Sequence, residues 1–145
     1  MASIITIADA APAPVNRNFV PNGLDQNTGA FWWVDASAPN ALGYWRIGLS
    51  ITRPPQAQAR QSSDGRNYRV KVQVLEPVLA NLSNSTVSGV APVPQLSYSM
   101  RSYHEFVLAE AGTQQDRKHI AKMSPLILQN PQITQVITDL LYPGT

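Results

Sequence analysis

Residues 66–74 read Arg-Asn-Tyr-Arg-Val-Lys-Val-Gln-Val, and their alternation gives the first indication of the fold. From position 68 onward every even-numbered residue is Tyr or Val, whereas the odd-numbered ones are Arg69, Lys71 and Gln73. Successive side chains of a β-strand point to opposite faces, so a period of two predicts a strand that is buried on one side only. This strand has one apolar face and one basic face.

Two further stretches, residues 44–52 and 96–108, alternate in the same way. Their apolar rows are Trp45, Ile47, Leu49 and Ile51 in the first, and Leu96, Tyr98, Met100, Phe106 and Leu108 in the second. If the three strands are neighbours in an antiparallel meander, their polar rows share one open face. Arg46, Arg69, Lys71 and Arg101 are then expected on that face, among small hydroxyl side chains and Tyr103.

Upstream of these strands, prolines divide the chain into short pieces. Residues 3–8 and 15–20 flank a Pro-rich connection and predict an N-terminal hairpin. Pro21-Asn22-Gly23 predicts a turn, and residues 30–34 predict a third strand.

After Gly112 the apolar period changes from 2 to 3.6, which predicts two helices. Thr113 can cap the first, with Asp116 three residues later, and Pro125 is expected to kink or end it. The second begins with Asn130 as N-cap and Pro131 at its first position. The two apolar stripes are Ile120, Met123 and Ile127, then Ile133, Val136, Ile137, Leu140 and Leu141.

Strands first and helices last indicate an α+β fold in which the helices cover the apolar face of the sheet. A strand over residues 67–79 would extend about 40 Å, but a helix over residues 131–142 only about 18 Å. Since two short helices cannot cover such a face from one chain, we expect an obligate homodimer with sheets joined edge to edge. The expected dimer interface is Ile120, Met123, Ile127, Ile133, Val136, Ile137 and Leu140.

Composition limits the classes of function. The 145 residues suit one domain; 43% are hydrophobic and 14% charged, as in a globular chain, and cysteine is absent. We find no secretory or membrane-spanning segment. Residues 46–101 hold seven of the eleven Lys and Arg residues but only two of the nine acidic ones, which favours a polyanionic partner.

Residue types suited to catalysis or metal binding are scattered. His104 and His119 have no acidic cluster at ligand spacing, so we expect no metal site and no cofactor. Nucleophile, phosphate-loop and dinucleotide motifs are absent, so we expect no enzyme. Trp32, Trp33 and Trp45 could form a sugar-stacking platform, but tryptophan in strands favours the core.

Several segments carry a resemblance to a known family. They are residues 66–74; Thr86, Val87, Ser88 and Gly89 with Pro92 and Pro94; Arg101-Ser102-Tyr103; and residues 113–117 and 126–142 with their Asn130-Pro131 break. In this order they resemble the long central strand, the symmetry-axis loop, the following strand and the C-terminal helix pair of the coat proteins of small single-stranded RNA bacteriophages, the levivirus type.

The resemblance implies a single domain over residues 1–145, with an N-terminal hairpin (1–20), a five-stranded antiparallel sheet (30–109) and two helices (113–142) interlocked in a homodimer. It implies dimers that assemble into an icosahedral shell around genomic RNA, and an RNA hairpin bound to repress replicase translation. Implied partners are a second copy, viral RNA and the phage maturation protein, and the implied location is the virion, assembled in the bacterial cytoplasm.

The resemblance also assigns RNA contacts to the polar face. The residues are Arg46, Ser50, Thr52, Arg69, Lys71, Gln73, Arg101, Tyr103 and Glu105. The cations would neutralise phosphates, the hydroxyls would hydrogen-bond phosphate or an extruded base, and Tyr103 would stack on an unpaired base. Glu105 would repel phosphate unless it accepts from a base amine.

Two other functions remain open from the sequence. A cellular RNA-binding module would use the same basic face but needs its helices only to cover its own sheet. A carbohydrate-binding module would bind glycans with little dependence on salt, whereas RNA affinity falls steeply with salt.

Overall fold

The computed structural model describes residues 2–58, 65–81 and 92–142, and these form a six-stranded antiparallel sheet followed by two helices. The elements are β1 Ile5–Ala8, β2 Asn16–Asp25, β3 Ala30–Asp35, β4 Trp45–Thr52, β5 Asn67–Leu79, β6 Leu96–Ala109, α1 Gln114–Leu128 and α2 Pro131–Asp139. A 3₁₀ turn, Ala41–Gly43, precedes β4. The strands lie in the sheet in chain order.

The chain forms two compact units. One comprises Met1–Pro55 with Tyr68–Val107 and carries nearly all of the sheet; the other comprises Gln56–Asn67 with Leu108–Thr145 and carries both helices. The single domain expected over residues 1–145 stays a prediction.

The predicted α+β fold is confirmed. The structure has one sheet of six strands, whereas the prediction had an N-terminal hairpin of two strands and a sheet of five. The difference arises at β2, whose first half pairs with β1 and whose second half pairs with β3. One strand therefore belongs both to the hairpin and to the sheet.

The expected turn at Pro21-Asn22-Gly23 is wrong, because β2 continues through it as a β-bulge. Pro21 pairs with Trp33 and Gly23 with Trp32, so Asn22 is the extra residue. Gly23 has a φ of 106°, a conformation that L side chains rarely adopt. The turn follows at Asp25–Gly29, where the Gly29 N–H donates to the Asp25 carbonyl at 2.8 Å.

The sheet's core lies on β2, β3 and β4, where Phe19, Ala30 and Ile47 are the buried apolar residues of the described chain. Arg17 anchors the hairpin beside it. Its guanidinium donates to Asp9 and to the buried Asp35, each at 3.2 Å, and lies 3.8 Å from the centre of the Trp45 ring. Two carboxylates and an aromatic face thus hold one cation, which joins β2 to the end of β3 and the start of β4.

The predicted helix starts are confirmed. The Thr113 hydroxyl accepts from the Asp116 N–H, and the Asp116 carboxylate accepts from the Thr113 N–H, which forms a capping box. The Thr113 hydroxyl also donates to the Asp116 carboxylate, and this bond, followed by the one from the Thr113 N–H, holds the pKa of Asp116 below its ordinary range. Asn130 caps α2, and Pro131 occupies its first turn. Pro125 was expected to kink or end α1; it does not end the helix, which continues to Leu128, and the kink stays a prediction.

Candidate nucleic-acid interface

The register between β4 and β5 brings two of the predicted polar rows together. Ser50 lies opposite Lys71, and Thr52 lies opposite Arg69. Directly opposite residues of an antiparallel pair project from the same face of the sheet. The apolar pairs, such as Leu49 opposite Val72, project from the other face. The alternation read from the sequence therefore assigns these side chains to the correct faces.

The third row, on β6, is tied to the second by Glu105. The Arg69 Nη1 lies 3.3 Å, and the Lys71 Nζ 3.9 Å, from the same carboxylate oxygen, Glu105 Oε1. All three side chains are substantially exposed, so this cluster faces solvent. Because Glu105 contacts Arg69 and Lys71, the odd-numbered positions of β6, including Arg101 and Tyr103, project from that same face.

The other two cations predicted for this face, Arg46 and Arg101, line one cavity at the other end of the strands. This cavity, of about 180 Å³, is lined by Arg46 and its cross-strand partner Leu75, together with Ser99 and Arg101. Arg46 and Arg101 therefore lie on the same side of the sheet.

We call this surface the basic face. It comprises all nine predicted residues: Arg46, Ser50, Thr52, Arg69, Lys71, Gln73, Arg101, Tyr103 and Glu105. Four of them are cations and one is an anion, and Tyr103 is 63% exposed. Clustered guanidinium and ammonium groups can neutralise phosphates, and an exposed aromatic ring can stack on a base.

One tryptophan that is expected in the core lies on this side of the sheet. Trp32 lies opposite Gly48, which lies opposite Gln73, so its side chain projects from the basic face and is only half-buried. A Cβ at Gly48 would lie 2.8 Å from a carbon of the Trp32 ring. The signal was present in the sequence: two consecutive tryptophans in a strand must face opposite sides, and Trp33 packs against Phe31 on the other one.

The predicted dimer residues form an exposed apolar surface on α1 and α2. Ile120, Met123, Ile127, Ile133, Ile137 and Leu140 are exposed, and Val136 is half-buried. Neither helix contains a buried residue. Leu140 is 85% exposed and has a φ of 57°, the left-handed conformation that leucine rarely adopts.

Four residues of the predicted symmetry-axis loop, Thr86, Val87, Ser88 and Gly89, lie outside the described residues. Pro92 and Pro94 lie in the connection that leads into β6, where Pro92 is half-buried and Pro94 is exposed. Their role at a symmetry axis stays a prediction.

Within residues 2–58, 65–81 and 92–142, no group of three His, Asp or Glu side chains is placed to hold a metal ion. Neither helix of this part of the chain is long and apolar enough to cross a membrane.

The sequence matches the family model described as "Levivirus coat protein" over residues 2–143. This is a family of structural capsid proteins and not of enzymes, in agreement with the expectation that the chain is no enzyme. A search of the curated proteins found no match.

Three solved structures have a fold similar to that of this chain. The chain in "Virus-like particle of bacteriophage ESE058" is 40% identical, with a TM-score of 0.87 over 98% of both chains. The chain in "Virus-like particle of bacteriophage NT-214" is 22% identical, with a TM-score of 0.77 over 97% of both. The capsid protein of bacteriophage GA is 15% identical, with a TM-score of 0.61 over 94% of this chain and 93% of that one. The last two likenesses show the fold alone.

Proposed function

Because the chain belongs to the levivirus coat protein family and is therefore a structural capsid protein, we propose that it assembles as homodimers into an icosahedral shell around single-stranded RNA. The observation that carries the RNA part of this proposal is the basic face. Three strands bring Arg46, Arg69, Lys71 and Arg101 to one side of the sheet. A cellular RNA-binding module is not retained, because the matched family is a capsid family.

Two surfaces support the dimer. In the described sheet, β6 is an edge strand of 14 residues, and a long free edge is a template for pairing with another chain. On its apolar row, Leu96, Tyr98 and Met100 are exposed. The apolar stripes of α1 and α2 are exposed as well. A second copy that pairs along β6 and receives the helices would remove both surfaces from water, as expected of an obligate dimer.

On the basic face we assign roles by chemistry. Arg46, Arg69, Lys71 and Arg101 contact phosphates. Ser50 and Thr52, opposite Lys71 and Arg69, donate to phosphate or to an extruded base, and Gln73 and Glu105 contact base edges. Tyr103 stacks on an unpaired base. Through such contacts the dimer binds an RNA hairpin and represses replicase translation.

In the virion, the shell encloses genomic RNA, and we extend the proposal to contact with the phage maturation protein and to assembly in the cytoplasm of the host bacterium. The relative that is 40% identical was solved in a virus-like particle, which supports assembly of this chain into a shell.

Expression of the chain alone in bacteria tests the proposal. Electron microscopy is expected to show uniform closed shells, and nucleic acid extracted from them should be RNA. Dispersed small oligomers would refute assembly, and empty shells would refute packaging of RNA.

Lys71→Ala tests the RNA contacts. Loss of one phosphate contact should make the dependence of log affinity on log salt shallower by about 0.7 to 0.9. The dimer should stay folded, since Lys71 is exposed. An unchanged salt slope would remove Lys71 from the interface.

A further inference from the structure

A second cavity lies on the same side of the sheet, between β2, β3 and the start of β4. Its volume is about 660 Å³, within the range of sites for small organic groups. Its lining includes Trp32, Tyr44, Arg46, Asn22 and Asp25. None of these except Arg46 belongs to the predicted RNA contacts. We propose that this cavity binds one unpaired nucleotide of single-stranded RNA, with its base stacked on Trp32. This inference rests on the proposed contact of the basic face with RNA.

The position of Trp32 is built into the sheet. Gly48 leaves room on the basic face, and a Cβ there would lie 2.8 Å from the Trp32 ring and 2.7 Å from the Gln73 amide nitrogen. The ring is therefore held against the backbone of β4 while it lines the cavity. A ring that is held before the ligand arrives loses little conformational entropy on binding. Aromatic side chains in this setting are the usual stacking platforms for unpaired bases.

The bulge of β2 shapes the opposite wall. Asn22 is the extra residue between Pro21 and Gly23, and bulges commonly redirect side chains beside binding sites. Both Asn22 and Asp25 line the cavity. The amide of Asn22 can both donate to and accept from a base edge.

Charge determines how the nucleotide is oriented. Arg46 lines both this cavity and the smaller one that it shares with Arg101. An RNA chain with a phosphate beside Arg46 can therefore continue from the cavity onto the rest of the basic face. Asp25 repels phosphate but accepts hydrogen bonds from base amines. The hydroxyl of Thr28 and the N–H of Asn27 donate to its carboxylate, orient it and hold its pKa below the ordinary range. The preferred base is therefore one with an exocyclic amine.

Binding of short unstructured RNA to the full-length chain, stripped of nucleic acid, tests this site. Fluorescence anisotropy should show that Trp32→Leu weakens binding about 5- to 150-fold, the range for loss of one stacked base. Trp32→Phe, which keeps an aromatic ring, should retain most of the affinity. Trp33→Leu is the matched control, since Trp33 follows in the same strand but faces the other side, and it should leave the affinity unchanged.

Base preference gives a second measurement that does not depend on loss of affinity. The wild-type chain should prefer oligocytidine to oligouridine, because cytosine has an exocyclic amine for Asp25 and uracil has none. Asp25→Asn should reduce that preference. Equal binding of both oligomers by the wild-type chain would overturn the orientation proposed for the base.

The salt slope distinguishes failure of this site from failure of the basic face. If Trp32→Leu has no effect while Lys71→Ala makes the slope shallower, the stacking site is wrong and RNA binding stands. If neither variant changes binding and the affinity does not depend on salt, the proposed RNA function fails, and the cavity proposal fails with it.

Discussion

Glu105 provides the sharpest test of the electrostatics of the basic face. Its Oε1 lies within reach of both Arg69 and Lys71, so phosphate must compete with a carboxylate for two of the four cations. Glu105→Gln keeps the size of the side chain but removes the charge. An unstructured RNA places no defined base amine beside Glu105, so we expect the variant to bind such an RNA more tightly than the natural chain.

The magnitude follows from the exposure of the pairs. The side chains of Arg69, Lys71 and Glu105 are 55%, 59% and 37% exposed. Exposed ion pairs contribute about 0.2 to 1 kcal/mol each. Both cations share one carboxylate oxygen, so the two pairs together contribute less than two independent ones. Their release should make RNA binding more favourable by about 0.5 to 1.5 kcal/mol, or about 2- to 10-fold in affinity at low salt. The gain should shrink as salt screens the charges.

The assay is a titration of a labelled, unstructured RNA between about 50 and 200 mM salt, the range in which counterion release is measurable. Glu76→Gln is the matched control, because it changes the net charge equally but lies at an even-numbered position of β5, on the other face. If Glu105→Gln binds no tighter than Glu76→Gln, the carboxylate does not compete with phosphate. Weaker binding would show that Glu105 itself contacts the RNA favourably.

Three further predictions concern stability. Arg17→Ala should destabilise the chain by about 1.5 to 3 kcal/mol in chemical denaturation, because the buried Asp35 loses a charged donor; an unchanged midpoint would refute this. Gly48→Ala should cost about 1 to 3 kcal/mol by crowding Gln73 and Trp32, whereas the exposed Thr52→Ala should change little. Since the pKa of Asp116 is lowered on folding, its stabilisation holds above the ordinary aspartate pKa of about 3.9 and disappears as the pH falls through the lower folded pKa. Thr113→Ala, followed by thermal melts from neutral to acid pH, should therefore make the acid loss of stability smaller, and an identical pH profile would contradict this.

Much of the fold was predictable because its signals are local. A period of two in residues 44–52, 68–74 and 96–108 assigns each side chain to a face. The register of β4 with β5 confirms the assignment for the first two stretches, and the contacts of Glu105 support it for the third. The helix starts at Thr113 and Asn130 were equally predictable, because a cap depends on residues within one turn. The turn expected at Pro21-Asn22-Gly23 failed, since these residues also suit a bulge in a continuing strand.

Local patterns along the chain were enough to predict which residues share a face of each strand, where the helices begin and which apolar stripes of the helices would pack against a second copy. The folded chain was needed to show that Glu105 contacts Arg69 and Lys71, that Trp32 lies against Gly48, and that Asn22 and Asp25 line the same cavity. The reason is that alternation is a property of neighbouring residues, whereas these contacts depend on strand register. Register is set by pairing between distant segments, such as Arg69 and Glu105, which are 36 residues apart.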